Sequence, residues 1–401
     1  MTEWRIVARM TVRMLLRKVK LENLFSFRNA EVELRELNVL IGANASGKSN
    51  LIEAISLLQE APQDLSRAIL RQGGVHVVCS LAVASPIAAI ECNGINAESL
   101  QYRLEFSEEA RGFIILKESL SNLTQGTENR SDVTYFERSA GTVRFGPAPS
   151  HGAIDLEVNS VSPTQSVFEL YKTPKDPTPI SRTGRALEAI QIYREFRSAR
   201  GSLARNGVVL SSPPNWNKSL ADGGDNLALV LLDMDFTGLH DRTRAYLRRF
   251  CDRFNDVKVR LDGSIARTYI EESGLLEPLV SWRLSDGTLK FLCLLAVLLD
   301  PNPAPLICIE EPEVGLHPEA IQIVAEALVE ASERTQLIVT THSEALIDAL
   351  SERPEDVLIT ERDADNGTQF RRLDKQQLSL WLERYSLGRL WRMGEIGGTR
   401  W

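Results

Sequence analysis

Residues 42–49 read Gly-Ala-Asn-Ala-Ser-Gly-Lys-Ser, a G-x-x-x-x-G-K-S loop. Glycines in such a loop let successive backbone N–H groups turn toward phosphate oxygens. Lys48 would reach the β- and γ-phosphates of a nucleotide, and the Ser49 hydroxyl would ligate Mg²⁺. Far along the chain, the apolar run Leu306-Ile307-Cys308-Ile309 ends in Glu310-Glu311. Two carboxylates at the end of a buried strand are costly unless a cation meets them. Beside a nucleotide that cation is Mg²⁺, held by Glu310, while Glu311 orients or deprotonates the attacking water. The alternative is that these acids, with Glu313 and Glu319, only favour the positive end of the helix after Pro318. His342 ends the following strand and is a candidate γ-phosphate sensor; its rival, His317, suits a loop beside Pro318. The segment Leu284-Ser285-Asp286-Gly287-Thr288 opens an apolar helix, so Ser285 is either its N-cap or a phosphate ligand. No N-K-x-D base-reading motif follows, which argues against a GTPase.

These residues need elements to hold them. A strand at 38–41 feeds the loop and a helix runs from Lys48 to about Glu60. Strand 305–309, helix 318–331 and strand 336–341 read as a βαβ unit, which implies a parallel sheet. Ile321, Val324, Ala325 and Leu328 give that helix one inward face. Alternation around Val19 and Leu21, then Val32 and Leu34, predicts two half-buried strands. Short β-like stretches at 76–83, 87–91, 102–106, 112–117 and 133–138 predict an antiparallel lobe. Prolines 174, 177 and 179 with Gly184 predict a linker over 172–184. The region 185–260 reads as helical, broken at Ser211-Ser212-Pro213-Pro214. One of its helices carries Tyr246, Phe250 and Phe254. Asp365-Asn366-Gly367 predicts a closing hairpin, and Trp381, Trp391 and Trp401 mark the tail.

With 43% hydrophobic and 25% charged residues in 401, the chain is large enough for two or three packed units. Its longest apolar run, Phe291–Leu299, is about half of what a bilayer needs, so no membrane partner is expected. Arginines 5, 9, 13 and 17 interrupt any signal-peptide core. Five cysteines, odd in number and without metal spacing, read as reduced core residues of a cytoplasmic protein. The net charge of −8 gives no global attraction to nucleic acid, so any DNA contact must be a local patch. Arg182, Arg185, Arg194, Arg197, Arg200 and Arg205 are the candidate patch, or else a solvated helix face.

The four motifs, in this order, resemble the ABC-type ATPase heads of the RecF, SMC and Rad50 group. Gly42–Ser49 corresponds to Walker A, Leu284–Thr288 to the signature, Leu306–Glu311 to Walker B and His342 to the switch histidine. The chain looks closest to stand-alone bacterial ATPases of that group, often labelled AAA-type. Supporting strings are Glu310-Glu-Pro-Glu-Val-Gly-Leu-His-Pro and Tyr385-Ser-Leu-Gly-Arg-Leu-Trp. The match covers about residues 14–80 and 281–401, and the middle only loosely.

The resemblance implies an α/β fold of the P-loop NTPase, ABC-head type: a central, mostly parallel sheet with an antiparallel β lobe and a helical insertion. It implies ATP and Mg²⁺ as cofactors, with Gly42, Ala43, Asn44, Ala45, Ser46, Gly47, Lys48, Ser49 and Asn50 around the phosphates. Lys48, Glu311 and His342 carry catalysis, and Ser49 and Glu310 the metal. A further metal-side glutamine is expected after the first helix, Gln72 before Gln63. Ser285, Asp286 and Gly287 act in trans, on a nucleotide bound by a second copy, so a homodimer through the ATP sites is implied. Val314–Leu316 corresponds to the family's interface loop. Two departures stand out: Glu310 replaces the usual Asp, and Asp286 replaces a glycine beside the phosphates.

The expected organisation is a non-native or disordered extension at 1–13, with Met14 a candidate start, and a first ATPase lobe at 14–180. A helical insertion at 181–280, a second lobe at 281–375 and a helical tail at 376–401 packing on it follow. The function expected is ATP hydrolysis in DNA repair or phage defence. The alternative is a slow nucleotide-dependent scaffold holding a separate effector protein. A transporter subunit is disfavoured, because Lys48 and Ser285 lie much farther apart than in such subunits. Related nucleases carry a metal-binding Toprim domain; here Asp363 and Asp365 suit a turn, so nuclease activity is not expected.

Overall fold

The computed structural model describes residues 14–79, 87–109, 112–122, 133–139, 141–146, 156–158, 161–171, 177–210 and 219–398. The proposed extension at 1–13, Trp401 and the break at 211–214 lie outside them. The chain forms two compact, discontinuous units, so contacts rather than chain order define the lobes.

The first unit gathers residues 14–190 with Glu355–Leu373 and residues 396–398. Its strand Leu37–Ile41 is buried throughout and runs parallel to Val357–Asp363. The one polar residue in Leu37–Ile41, Asn38, exchanges hydrogen bonds with the Arg35 backbone and accepts Arg372 at 2.8 Å. Val357–Asp363 turns through Asp365-Asn366 into the antiparallel strand Gly367–Arg372, as the hairpin signal predicts. Asp363 accepts the Asp365 and Asn366 amides, at 2.7 and 2.5 Å, so this D-x-D shapes a turn. Lys18–Leu24 and Phe27–Glu33 pair antiparallel, and Lys18–Leu24 continues into Ile87–Asn93, Leu100–Glu109, Gly112–Asn122 and Val133–Ser139. Leu100–Glu109 alternates buried and half-buried residues, the pattern of a sheet with one packed face.

Two expectations here are corrected. His76–Val78 is helical, because Gly73 and Gly74, both at positive φ, turn the chain before it can extend. Of the linker expected over 172–184, residues 172–176 lie outside the described residues, and from Pro179 the chain is a helix, Pro179–Glu188. Thr178 caps it, and a proline at the first helical position has no N–H to leave unpaired.

The second unit is Gln191–Pro354 with Asp374–Glu395. Strands Gln191–Tyr193, Leu306–Glu310 and Gln336–Thr340 are parallel, the last two linked by helix Pro318–Ala331. Ile321, Val324, Ala325 and Leu328 are all buried, as their spacing predicts. The insertion is not wholly helical. Phe254–Asp262 and Ile265–Glu272 form an antiparallel pair, extended by Val208–Val209 and Leu279–Val280. The helix His240–Phe250 stops before Phe254, since Cys251 turns extended. The three-aromatic spacing misleads because Phe250 and Phe254 still face one core, Phe250 stacking on Phe291 at 4.2 Å. In the tail, Leu387–Arg392 packs on Glu344–Asp348, where the Gly388 amide donates to Asp348 at 2.7 Å. Among the described residues no helix is long and apolar enough to cross a membrane.

Candidate functional site: a phosphate loop, an acidic strand end and a capped helix

In the first unit, the buried strand Leu37–Ile41 delivers Gly42 to the loop and helix Lys48–Glu60 leads away. A side chain on Gly42 would press on the Thr360 carbonyl and come within 2.7 Å of Ser46 Oγ. Gly47, at φ +107°, leaves no room either: an added Cβ would lie 2.8 Å from Ser26 Oγ and closer still to Thr368. Thr368 donates to the Ser46 carbonyl at 2.8 Å, and shares a 2.7 Å hydroxyl contact with Ser26. Asn50 turns its amide to Ser26 at 2.7 Å, so it braces the loop from behind. Nothing in the sequence pointed to Ser26 or Thr368 as supports.

Lys48 is buried, and its ammonium donates to the Gly42 and Ala43 carbonyls, each at 2.9 Å. Ser46 Oγ is buried without a hydrogen-bond partner. A held ammonium and an orphaned hydroxyl in a glycine loop at a helix N-terminus fit a phosphate group. Asn44, Ala45 and Ser49 are exposed, and Ala43 half-buried. Ser49 thus presents its hydroxyl at the first helical turn, where a phosphate-bound Mg²⁺ would need it. Gln72 caps helix Leu65–Arg71 and donates to Glu53 at 2.9 Å and Ser56 at 2.7 Å, farther along the loop helix. Gln63 is exposed in the preceding turn.

In the second unit, Leu306–Glu310 ends where Glu311 adopts φ +43°. A left-handed conformation at a non-glycine residue costs about 1–3 kcal/mol and clusters at functional sites. Here it turns the Glu311 side chain outward while its amide stays bonded to the Thr340 carbonyl at 3.0 Å. His342 Nε2 lies 3.8 Å from Glu311 Oε1, and Arg194 Nε 3.5 Å from Glu310 Oε1. A cleft of about 310 Å³ opens beside them, lined by Arg194, Lys290, Glu310, Glu311 and Val314.

Glu313 does more than favour a helix dipole. Its Oε1 accepts the Thr341 hydroxyl at 2.7 Å and the His342 amide at 2.8 Å. Burial raises its carboxyl above the ordinary range against those hydrogen bonds, and neighbouring Glu311 adds to the rise. His317 is the N-cap of helix Pro318–Ala331, as its place beside Pro318 predicts.

The signature segment lies in the same unit. Ser285 caps helix Asp286–Leu298, accepting the Thr288 amide at 3.0 Å, and is itself exposed. An added Cβ on Gly287 would lie 2.8 Å from the Gly315 carbonyl, so the helix start rests directly on the loop after the acidic strand. Lys290 reaches that loop too, donating to the Val314 carbonyl at 3.3 Å. Asp286 is paired with Arg205 at 2.5 Å.

The arginines expected from the sequence to form a patch are divided between the two units. Arg205 is buried, Arg182 pairs with Glu98, Arg197 with Asp225, and Arg194 faces Glu310. They sit on helices, a strand end and loops, because the segment is not one helix. Arg182 and Arg185, both exposed, share helix Pro179–Glu188 and give it a solvated basic face.

Comparisons with known proteins concern the domains and the fold. Residues 14–138 match the family model described as "AAA ATPase domain". Residues 158–348 match that described as "AAA domain, putative AbiEii toxin, Type IV TA system". The chain is similar to the Old nuclease of Escherichia phage P2, 26% identical over 375 residues, or 85% of this chain. It spans only 58% of that relative's length. Among solved structures, an Smc head bound to the C-winged helix domain of ScpA superposes with a TM-score of 0.53. That likeness has 12% identity and covers 90% of this chain and 99% of the other. An Smc head with an extended coiled coil, bound to the C-terminal domain of ScpA derived from Pyrococcus furiosus, gives 0.50 at 12% identity. It covers 92% of this chain and 98% of that one. At such identity the likeness concerns the fold alone. The fold is that of a P-loop ATPase head, and over residues 14–138 and 158–348 the chain is similar to ATPase domains of the AAA type.

Proposed function

We propose that the chain binds ATP with Mg²⁺ and hydrolyses it as a homodimer that sandwiches the nucleotides, in DNA repair or phage defence. The observation that carries this reading is the loop itself: Lys48 and the orphaned Ser46 hydroxyl converge in a cradle that tolerates only glycine at 42 and 47. Lys48 exchanges its own loop carbonyls for β- and γ-phosphate oxygens. Ser49 and Glu310 would hold Mg²⁺, which would offset the phosphate charge. Glu311 takes the proton of the attacking water, and His342, 3.8 Å away, keeps that carboxylate oriented and senses the γ-phosphate. The exposed Ser285 and the half-buried Gly287 meet the nucleotide of the second copy.

A second reading, a slow scaffold for a separate effector protein, gains support from the ion pairs already made by Arg182, Arg197 and Arg205. The toxin–antitoxin wording of one matched family model points the same way. Steady-state turnover with and without double-stranded DNA at low salt tests the choice, with Glu311→Gln as the blank. DNA stimulation that falls steeply with salt supports a nucleic-acid role. A slow rate indifferent to DNA supports the scaffold.

A further inference from the structure

Arg205 is a buried cation, its side chain 9% exposed, while its partner Asp286 is 65% exposed. Four of its five N–H donors have partners. Nε donates to the Ser198 carbonyl at 2.8 Å, and Nη1 to the Leu284 and Trp282 carbonyls at 2.7 and 3.1 Å. Nη2 meets Asp286 Oδ1 at 2.5 Å. The tie is reciprocal, since the buried Ser281 hydroxyl donates to the Arg205 carbonyl at 2.5 Å. One guanidinium therefore holds both the approach to the capped helix and the first residue inside it.

Asp286 presents a chemical difficulty. A carboxylate in the first turn favours its own helix dipole, but it opposes an incoming phosphate at the same helix end. Arg205 removes the difficulty from behind, leaving the helix N–H groups and Ser285 facing outward. Lysine could not do the same: it has three donors for four acceptors and no planar fork.

We propose that Arg205 is the positioning residue of this segment, cancelling the Asp286 charge and fixing residues 282–286 so that Ser285 can meet a nucleotide phosphate. The inference rests on the composite ATP site proposed above. It gives Arg205 no contact with the nucleotide.

The test compares ATP turnover and the affinity for a fluorescent ATP analogue across wild type, Arg205→Ala, Arg205→Lys and the double variant Arg205→Ala/Asp286→Asn. Arg205→Ala is expected to lower kcat by about 30-fold or more, the scale of one lost charge-assisted contact, with nucleotide affinity changed less than about twofold. Arg205→Lys is expected to recover little. The double variant should regain at least about tenfold over Arg205→Ala, because the uncompensated charge is gone. Arg205→Gln, which still reaches backbone carbonyls, replaces Arg205→Ala if that chain does not fold, with the same two expectations. Wild-type turnover in a folded Arg205→Ala chain, or no recovery on removing the Asp286 charge, overturns the inference alone. A wild-type chain that neither binds nor hydrolyses ATP overturns the composite site and the inference with it.

Discussion

The carboxylate of Glu313 accepts the backbone N–H of His342 at 2.8 Å, tying the loop after one parallel strand to the end of its neighbour. The same oxygen takes the Thr341 hydroxyl, so the histidine's position beside Glu311 depends on an acid two residues farther along. Truncation at Glu313 orphans two buried donors, at about 1–3 kcal/mol each. Glu313→Ala is therefore expected to lower turnover at least about tenfold while ATP affinity stays near wild type. Equal turnover would remove Glu313 from the account.

Glu313 also predicts a pH dependence. Its folded carboxyl holds a proton more tightly than the unfolded one, because burial raises it. Between the ordinary carboxylate value and the raised one the folded state binds more protons, so stability falls as pH rises through that window. Thermal melts of wild type and Glu313→Gln across mildly acidic pH should show a shallower slope in the variant. Parallel slopes would contradict the assignment.

Gly47→Ala places a Cβ against Thr368 and Ser26 at φ +107°. Strain and overlap together are expected to cost about 1–3 kcal/mol of stability and to abolish ATP binding. Denaturant melts and nucleotide titration check both. Lys48→Ala should lose ATP binding without that stability loss, and retained micromolar affinity would refute the phosphate-loop assignment.

Much of this was legible in the sequence because local pattern and tertiary need agree. Leu37–Ile41 and Leu306–Glu310 are apolar runs that can only be buried strands here. The amphipathic helix Pro318–Ala331 between two such strands leaves a parallel arrangement as the simplest solution. Where packing overrides periodicity the reading failed, as at Phe254, which keeps its aromatic neighbour but leaves the helix. Arg205 was indistinguishable from five other arginines, since its partner Asp286 is remote in sequence and burial is not written in residue type. Glu313 was visible, but its role depends on the register of the next strand.

Glu311→Gln removes the proposed base while preserving size, and a positioned base contributes about 10²–10⁴-fold. The variant should bind ATP, turn over at least about a hundredfold slower, and accumulate as an ATP-bound dimer by light scattering. Normal turnover would move the base elsewhere.

The most direct test of the two-copy site is to mix two inactive chains, Lys48→Ala and Ser285→Arg, and measure ATP turnover. Half of randomly paired dimers would keep one intact composite site of two, so about a quarter of wild-type turnover should return if sites act independently. Persistent inactivity in a mixture shown to form mixed dimers would contradict a site completed in trans.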